Sequence, residues 1–299
     1  MSNPVPRSIQ EYLDQLRAEL AGADPALIQD ALYDAEEYLR AELDSNRGKT
    51  EEQVLAAVAT TYGAPEEVAE AYRNTEAKVQ KALRTPRPKQ RKSLLGRFFG
   101  VYTDPRAYTS LLFMLLAYVT GIFFFIWAVT GLAMSVGFMI LIIGLPFFLL
   151  FLGSVRLLSL VEGRIVEVLL GVRMPRRPVY PAGKSRPIME RVKEVFTDPR
   201  TWSTLLYMIV KLPLGIVDFV FIVAFGAVSL SLIFAPIVAL FHGGVWLDFD
   251  GIDIYSVPWI ITPIFTTIGI VLLAVLLHIA RGMGWVHGHL AKNLLVKSG

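Results

Sequence analysis

Residues 107–155 form a run of forty-nine positions without one Asp, Glu, Lys or Arg. A helix needs about 20 apolar residues to cross the hydrocarbon core of a bilayer, so the run is long enough for two crossings and a tight turn. A second apolar region extends from Leu205 to Phe241, interrupted by Lys211 and Asp218, and a third from Val257 to Ala280. Four spans are expected, near 109–131, 134–156, 206–234 and 258–280. Only 18% of the chain is charged, against about 25% in soluble domains.

Residues 1–80 have a different character, with 16 acidic and 7 basic side chains. Caps and periodicity divide them into four short helices. Ser8 to Glu11 and Thr50 to Gln53 read as capping boxes, and Asp24-Pro25 supplies an N-cap followed by an N1 proline. Gly63 stops one helix and Pro65 starts the next. Each apolar stripe is narrow, so the helices must pack on one another in a small bundle. The acidic residues read as its solvated face, with a dedicated docking surface as the alternative. Residues 81–98 reverse the charge, with seven Lys or Arg and no acid, and read as a basic linker. There is no cysteine, which excludes disulfides and thiolate metal sites. The amino terminus lacks the apolar core of a signal peptide, so the first span is expected to direct insertion.

The membrane half, 99–299, is duplicated, with copies at about 95–171 and 189–295. Val101-Tyr102-Thr103-Asp104-Pro105-Arg106 recurs as Val195-Phe196-Thr197-Asp198-Pro199-Arg200. In the same register Gly121-Ile122 matches Gly215-Ile216; further on, Arg156 and Val161-Glu162-Gly163-Arg164 match Arg281 and Val286-His287-Gly288-His289. Each copy reads as a juxtamembrane Asp-Pro-Arg element, a helical hairpin and a polar exit helix. Two spans per copy make the duplication parallel, unlike the inverted repeats of many transporters. Lys and Arg crowd 81–106, 173–200 and 281–297 and are missing from 131–136 and 235–257, which keeps both termini cytoplasmic. The fold class expected is all-α: a cytoplasmic helical bundle, then a four-helix transmembrane domain of two parallel hairpins, in the inner (plasma) membrane.

Tyr62-Gly63-Ala64-Pro65-Glu66-Glu67-Val68-Ala69, with Tyr12-Leu13 and Asp34-Ala35-Glu36-Glu37-Tyr38, resembles the HAAS family of bacterial signalling domains. That likeness implies a helical module found in membrane proteins and often encoded beside PadR-type transcription regulators. Asp198-Pro199-Arg200-Thr201-Trp202, Leu212-Pro213-Leu214-Gly215-Ile216 and Ile143-Gly144-Leu145-Pro146, together with the Glu162-Gly163-Arg164 segment, resemble the four-span sensor domain joined to many bacterial histidine kinases. No kinase domain follows here, so this likeness implies that any phosphotransfer belongs to a separate protein.

Candidate sites are few. Asp218 lies inside the third span with Lys211 two turns earlier, and an intramembrane carboxylate costs several kcal/mol unless it finds a partner or a cavity. It reads either as an interhelical bond or as a sensing element, and Lys211 is placed to snorkel inward or to the interface. The loop between the third and fourth spans offers His242, Asp248, Asp250 and Asp253 as outer ligands. Their spacing is not that of an EF-hand, and the segment reads as amphipathic, lying at the outer interface. His287 and His289 point to different sides of a helix and read as part of a polar exit. Gly144-Leu145-Pro146 reads as an irregularity within the second span. The repeated Asp104, Pro105, Arg106 and Asp198, Pro199, Arg200 complete the set.

No hydrolase, zincin or P-loop motif occurs, so no catalytic residue, metal or cofactor is expected and the chain reads as a non-enzyme. The favoured reading is a membrane sensor or regulator relaying a membrane or envelope signal through the helical domain to a cytoplasmic regulatory protein, a PadR-type regulator or a separate kinase. The alternatives are an accessory subunit of an exporter and a membrane enzyme. Beyond that protein the expected partner is the lipid bilayer; homo-oligomerisation stays open, and direct nucleic-acid binding is not expected. Single-cysteine labelling in intact cells checks the orientation: a cysteine at position 250 should react with a membrane-impermeant thiol reagent, and one at 180 should be protected.

Overall fold

A computed structural model describes residues 6–83, 93–140, 144–178, 193, 196–242, 245–249, 252–257, 260 and 262–296. The chain is helical, as expected, with one small hairpin. The amino-terminal domain contains α1 (Ile9–Glu19), α2 (Pro25–Ser45), α3 (Glu51–Thr61) and α4 (Pro65–Leu83). Then come α5 (Leu94–Phe99), a 3-10 turn (Gly100–Thr103), α6 (Pro105–Phe138), α7 (Gly144–Leu170), α8 (Pro199–His242), strands β1 (Val245–Phe249) and β2 (Ile252–Val257), and α9 (Thr262–Leu295).

The local chemistry of the four short helices follows the sequence closely. Ser8 accepts from the Glu11 amide and Asp24 from the Ala26 amide. Thr50 and Gln53 complete a reciprocal capping box. At Ser8 the box is only half formed, because the Glu11 carboxylate accepts from the Arg7 amide instead. Gly63 leaves α3 at a φ of +110°, a conformation that a side chain would strain. Its carbonyl accepts from the Tyr12 hydroxyl at 2.8 Å, which ties the turn to α1. Tyr12, Leu16, Leu20, Ala31, Ala35, Leu39, Val54, Val58 and Ala69 form a continuous buried core.

Helices α6, α7, α8 and α9 have 34, 27, 44 and 34 residues. At about 1.5 Å per residue each is longer than a hydrocarbon core of about 30 Å requires. Their outer faces carry large exposed apolar side chains such as Val119, Leu150, Val217 and Ile264. That pattern requires lipid rather than water around them. The protein is therefore a multi-pass membrane protein with four spans.

Two boundaries differ from the sequence reading. The first hairpin turns after Phe138, not near residue 132. Gly144-Leu145-Pro146 is the start of α7, where a proline lacking an N–H costs nothing. The amphipathic segment after the third span is an antiparallel hairpin, with Val245 opposite Val257 and Asp248 opposite Asp253.

By compactness the chain forms two units that cut across sequence order. One comprises Met1–Arg84, Ala128–Tyr207 and Gly288–Gly299, and the other Thr85–Trp127 and Met208–His287. In the second unit α6 and α8 approach closely at matching positions of the two copies. A Cβ on Gly121 would stand 3.0 Å from the Lys211 carbonyl oxygen, and one on Gly215 would stand 2.8 Å from that of Ala117. Small residues spaced by four let backbones meet in this way.

Leu39, only 1% exposed, tests the first core. Leu39→Asp buries an unpaired charge and should unfold residues 6–83, read as loss of far-UV helical signal from the isolated fragment; the wild-type fragment should stay helical.

Candidate functional site: two buried charge clusters

Arg173 is the centre of the first cluster. Gly171 leaves α7 at a φ of +68°, and the chain then runs without regular structure to Pro178. The Arg173 guanidinium is almost fully enclosed, its side chain 7% exposed. Nη2 donates to Asp30 at 2.7 Å, Nε to both oxygens of Glu76 at 3.0 Å, and Nη1 to Glu167 at 3.5 Å and to the Met174 carbonyl. The second oxygen of Asp30 accepts from the consecutive amides of Arg176 and Arg177, at 2.7 and 2.8 Å. Two adjacent amides and a guanidinium make an anion cradle, and a carboxylate of the amino-terminal domain occupies it.

Further polar contacts extend the joint. Arg177 reaches Asp34 at 2.8 Å, Lys292 reaches Asp24 at 2.5 Å, and Arg200 donates to Gln29 at 2.8 Å. Tyr72 donates to the other oxygen of Asp34 at 2.8 Å; burial and that bond push its phenol well up, so it stays a donor. Burial pulls the Arg173 pKa down, and the bond and charge of Asp30, with Glu76 and Glu167, more than offset it. The expectation of a fully solvated acidic face is thus corrected: Asp30 and Glu76 are buried against the chain's own arginines.

The second cluster lies in the other unit. Asp218 is fully buried, and its Oδ2 lies 2.6 Å from Nε2 of His287, itself 4% exposed. The His287 ring packs against Phe113 with centroids 5.5 Å apart. Lys211 turns inward rather than to the interface. It is buried, with its ammonium 4.9 Å from the Phe124 ring centroid and 5.8 Å from that of Phe113, where the ring faces stabilise a cation. His287 was missed as a partner because it reads as polar exit helix. The available signal was the repeat. Its counterpart Glu162 is also buried and accepts from Tyr207, the counterpart of Phe113, at 2.8 Å.

The Asp-Pro-Arg elements are helix starts whose copies exchange partners. Asp104 and Asp198 cap the amides of Arg106 and Arg200 at 3.0 and 3.1 Å, with Pro105 and Pro199 at the first helical position. In one unit the free oxygen of Asp104 meets Arg281 of the second copy at 3.1 Å; in the other, that of Asp198 meets Arg156 of the first copy at 3.5 Å.

The outer-loop candidates are less concentrated. His242 ends α8, Asp248 and Asp253 face each other in register across the hairpin, and Asp250 lies outside the described residues. No group of three or more metal-ligating side chains occurs among the described residues.

Compared with known families, residues 113–295 match the Sensor family (Putative sensor), and residues 11–71 match HAAS. The chain belongs to the Sensor family, carrying a HAAS domain in front of it. No curated protein and no solved structure gives a match. A membrane sensor or regulatory role follows.

If Asp218 and His287 stabilise one another, their effects are coupled. Asp218→Leu and His287→Leu should each lower thermal stability in detergent, and the double variant should lose less than the sum by about 0.5–3 kcal/mol. Additive losses would show that the 2.6 Å approach carries no energy.

Proposed function

We propose that the protein is a non-enzymatic receptor of the bacterial plasma membrane. The four-span domain detects a membrane or envelope signal and relays it, through the position of the HAAS domain, to a cytoplasmic regulatory protein. The observation that carries this reading is the Asp30 carboxylate held by Arg173 and the amides of Arg176 and Arg177. This contact runs from the HAAS domain to the segment that leaves α7, so a shift of that helix end acts directly on the domain.

Such a joint suits a relay because it is held mainly by ionic and polar groups. Removing one member leaves the others buried and unpaired, which costs about 3–5 kcal/mol. The joint therefore has two states, docked or released, rather than a continuum. Asp218, Lys211 and His287 give the spans a polar element able to respond within the membrane, since intramembrane ionisable groups mark functional positions more often than not.

Arg173→Ala should release the domain, read as faster hydrogen exchange at the Arg176 and Arg177 amides while α1–α4 stay protected. Unchanged exchange would sink the relay reading. Deleting residues 1–83 should abolish co-purification of the regulatory partner from native membranes without preventing insertion of the spans.

A further inference from the structure

The surface that receives Arg173 and Arg177 has the form of a peptide-binding groove. Leu27, Asp30 and Asp34 recur at helical spacing on α2, and Tyr72, Glu76 and Val79 do so on α4. Between them and the segment from Arg173 to Arg177 lies a cleft of about 340 Å³. Its ligand is on view. The segment after Gly171 enters without regular structure and bends at Arg176 and Arg177; it reads Asp30 and Glu76 with one guanidinium and Asp34 with another, and is gripped by its backbone. The Arg176 and Arg177 amides donate to Asp30, and the Arg177 carbonyl accepts from Gln29 at 2.6 Å. The Arg177 guanidinium also lies 5.8 Å from the Tyr33 ring centroid. Arg176 turns away to Glu167 at 3.1 Å, so what the groove reads is Arg-x-x-x-Arg.

We propose that this groove is a recognition site for an Arg-x-x-x-Arg segment of a partner protein, and that residues 171–178 are an internal ligand occupying it in the docked state. The inference rests on the relay reading and names what the relay delivers. Two features favour arginine. One planar guanidinium meets Asp30, Glu76 and Glu167 from three separate nitrogens in a fixed fork, a spread that the single nitrogen of lysine does not reproduce. Withdrawal also leaves Asp30, Asp34 and Glu76 as a concentrated negative surface, which attracts a cationic replacement. The tether supplies the internal segment at an effective concentration of about millimolar. A partner therefore competes with the internal segment in the resting protein only at concentrations above that, and withdrawal of the segment by the sensor removes the competition.

The test uses the full-length chain in detergent and a fluorescein-labelled peptide of residues 170–178. The double variant Arg173→Ala, Arg177→Ala opens the groove and leaves Arg176 on Glu167. The peptide should bind it at least about tenfold more tightly than wild type. Adding Asp30→Asn and Glu76→Gln should remove that gain, and a peptide with both arginines changed to lysine should bind about tenfold more weakly. Should the double variant misfold, the wild type serves: excess unlabelled peptide should accelerate exchange at its Arg176 and Arg177 amides. Equal binding to open and wild-type chains, binding that survives the carboxylate replacements, or no displacement in wild type would each overturn the proposal. Faster exchange in Arg173→Ala without peptide binding would leave the relay standing and remove only this partner.

Discussion

Taking a charge out of water costs several kcal/mol unless another charge or a set of aligned dipoles replaces the lost hydration. In this chain that cost decides which surfaces must stay together. Arg173 is enclosed and tolerable only because Asp30, Glu76 and Glu167 surround it. Asp218 is fully buried because His287 has been brought to it across two helices. The apolar contacts set the helices side by side, but lipid competes with them on equal terms inside the bilayer. The polar pairs have no such substitute, so they fix the register.

Duplication supplied a symmetric solution and later divergence made it uneven. The exchange of partners, Asp104 with Arg281 and Asp198 with Arg156, is what two copies produce when each half needs the other to satisfy its juxtamembrane aspartate. Gly121 against Lys211 and Gly215 against Ala117 repeat the logic at the backbone level. Deeper in the helices the copies part. One keeps Glu162 with Tyr207; the other replaces that pair with His287 and Phe113 and adds Asp218 and Lys211. Similar packing is kept while the electrostatics differ.

Much of this was legible in the sequence because the signals are local. Caps, a positive-φ glycine, uncharged runs and the duplicated Asp-Pro-Arg element each depend on neighbours a few residues away. They gave the helices, the four spans and both families. The turn between the first two spans was misplaced because an uncharged apolar run carries no local mark of where it bends, and the Gly144-Leu145-Pro146 segment that opens the second helix was read as lying inside it. What could not be read was long-range pairing. Nothing near Asp30 announces Arg173, 143 positions away, and an acidic surface looks the same in sequence whether it faces water or arginine. Similarly, His287 is an exit-helix residue by composition and a buried one by geometry.

Why the proposed relay should be electrostatic rather than a rigid lever follows from the same cost. An apolar joint would slide, trading one methyl contact for another with little change in energy. The joint at Arg173 cannot slide, because its donors and acceptors match at only one position and partial withdrawal strands several charges at once. A small displacement at the end of α7 is therefore either resisted or converted into complete release, and a stimulus must favour the released state by the full difference between the two. Release exposes Asp30, Asp34 and Glu76 together, a concentrated negative surface that the docked protein keeps covered. In the proposed relay that surface then attracts whatever supplies guanidinium donors in place of the lost ones.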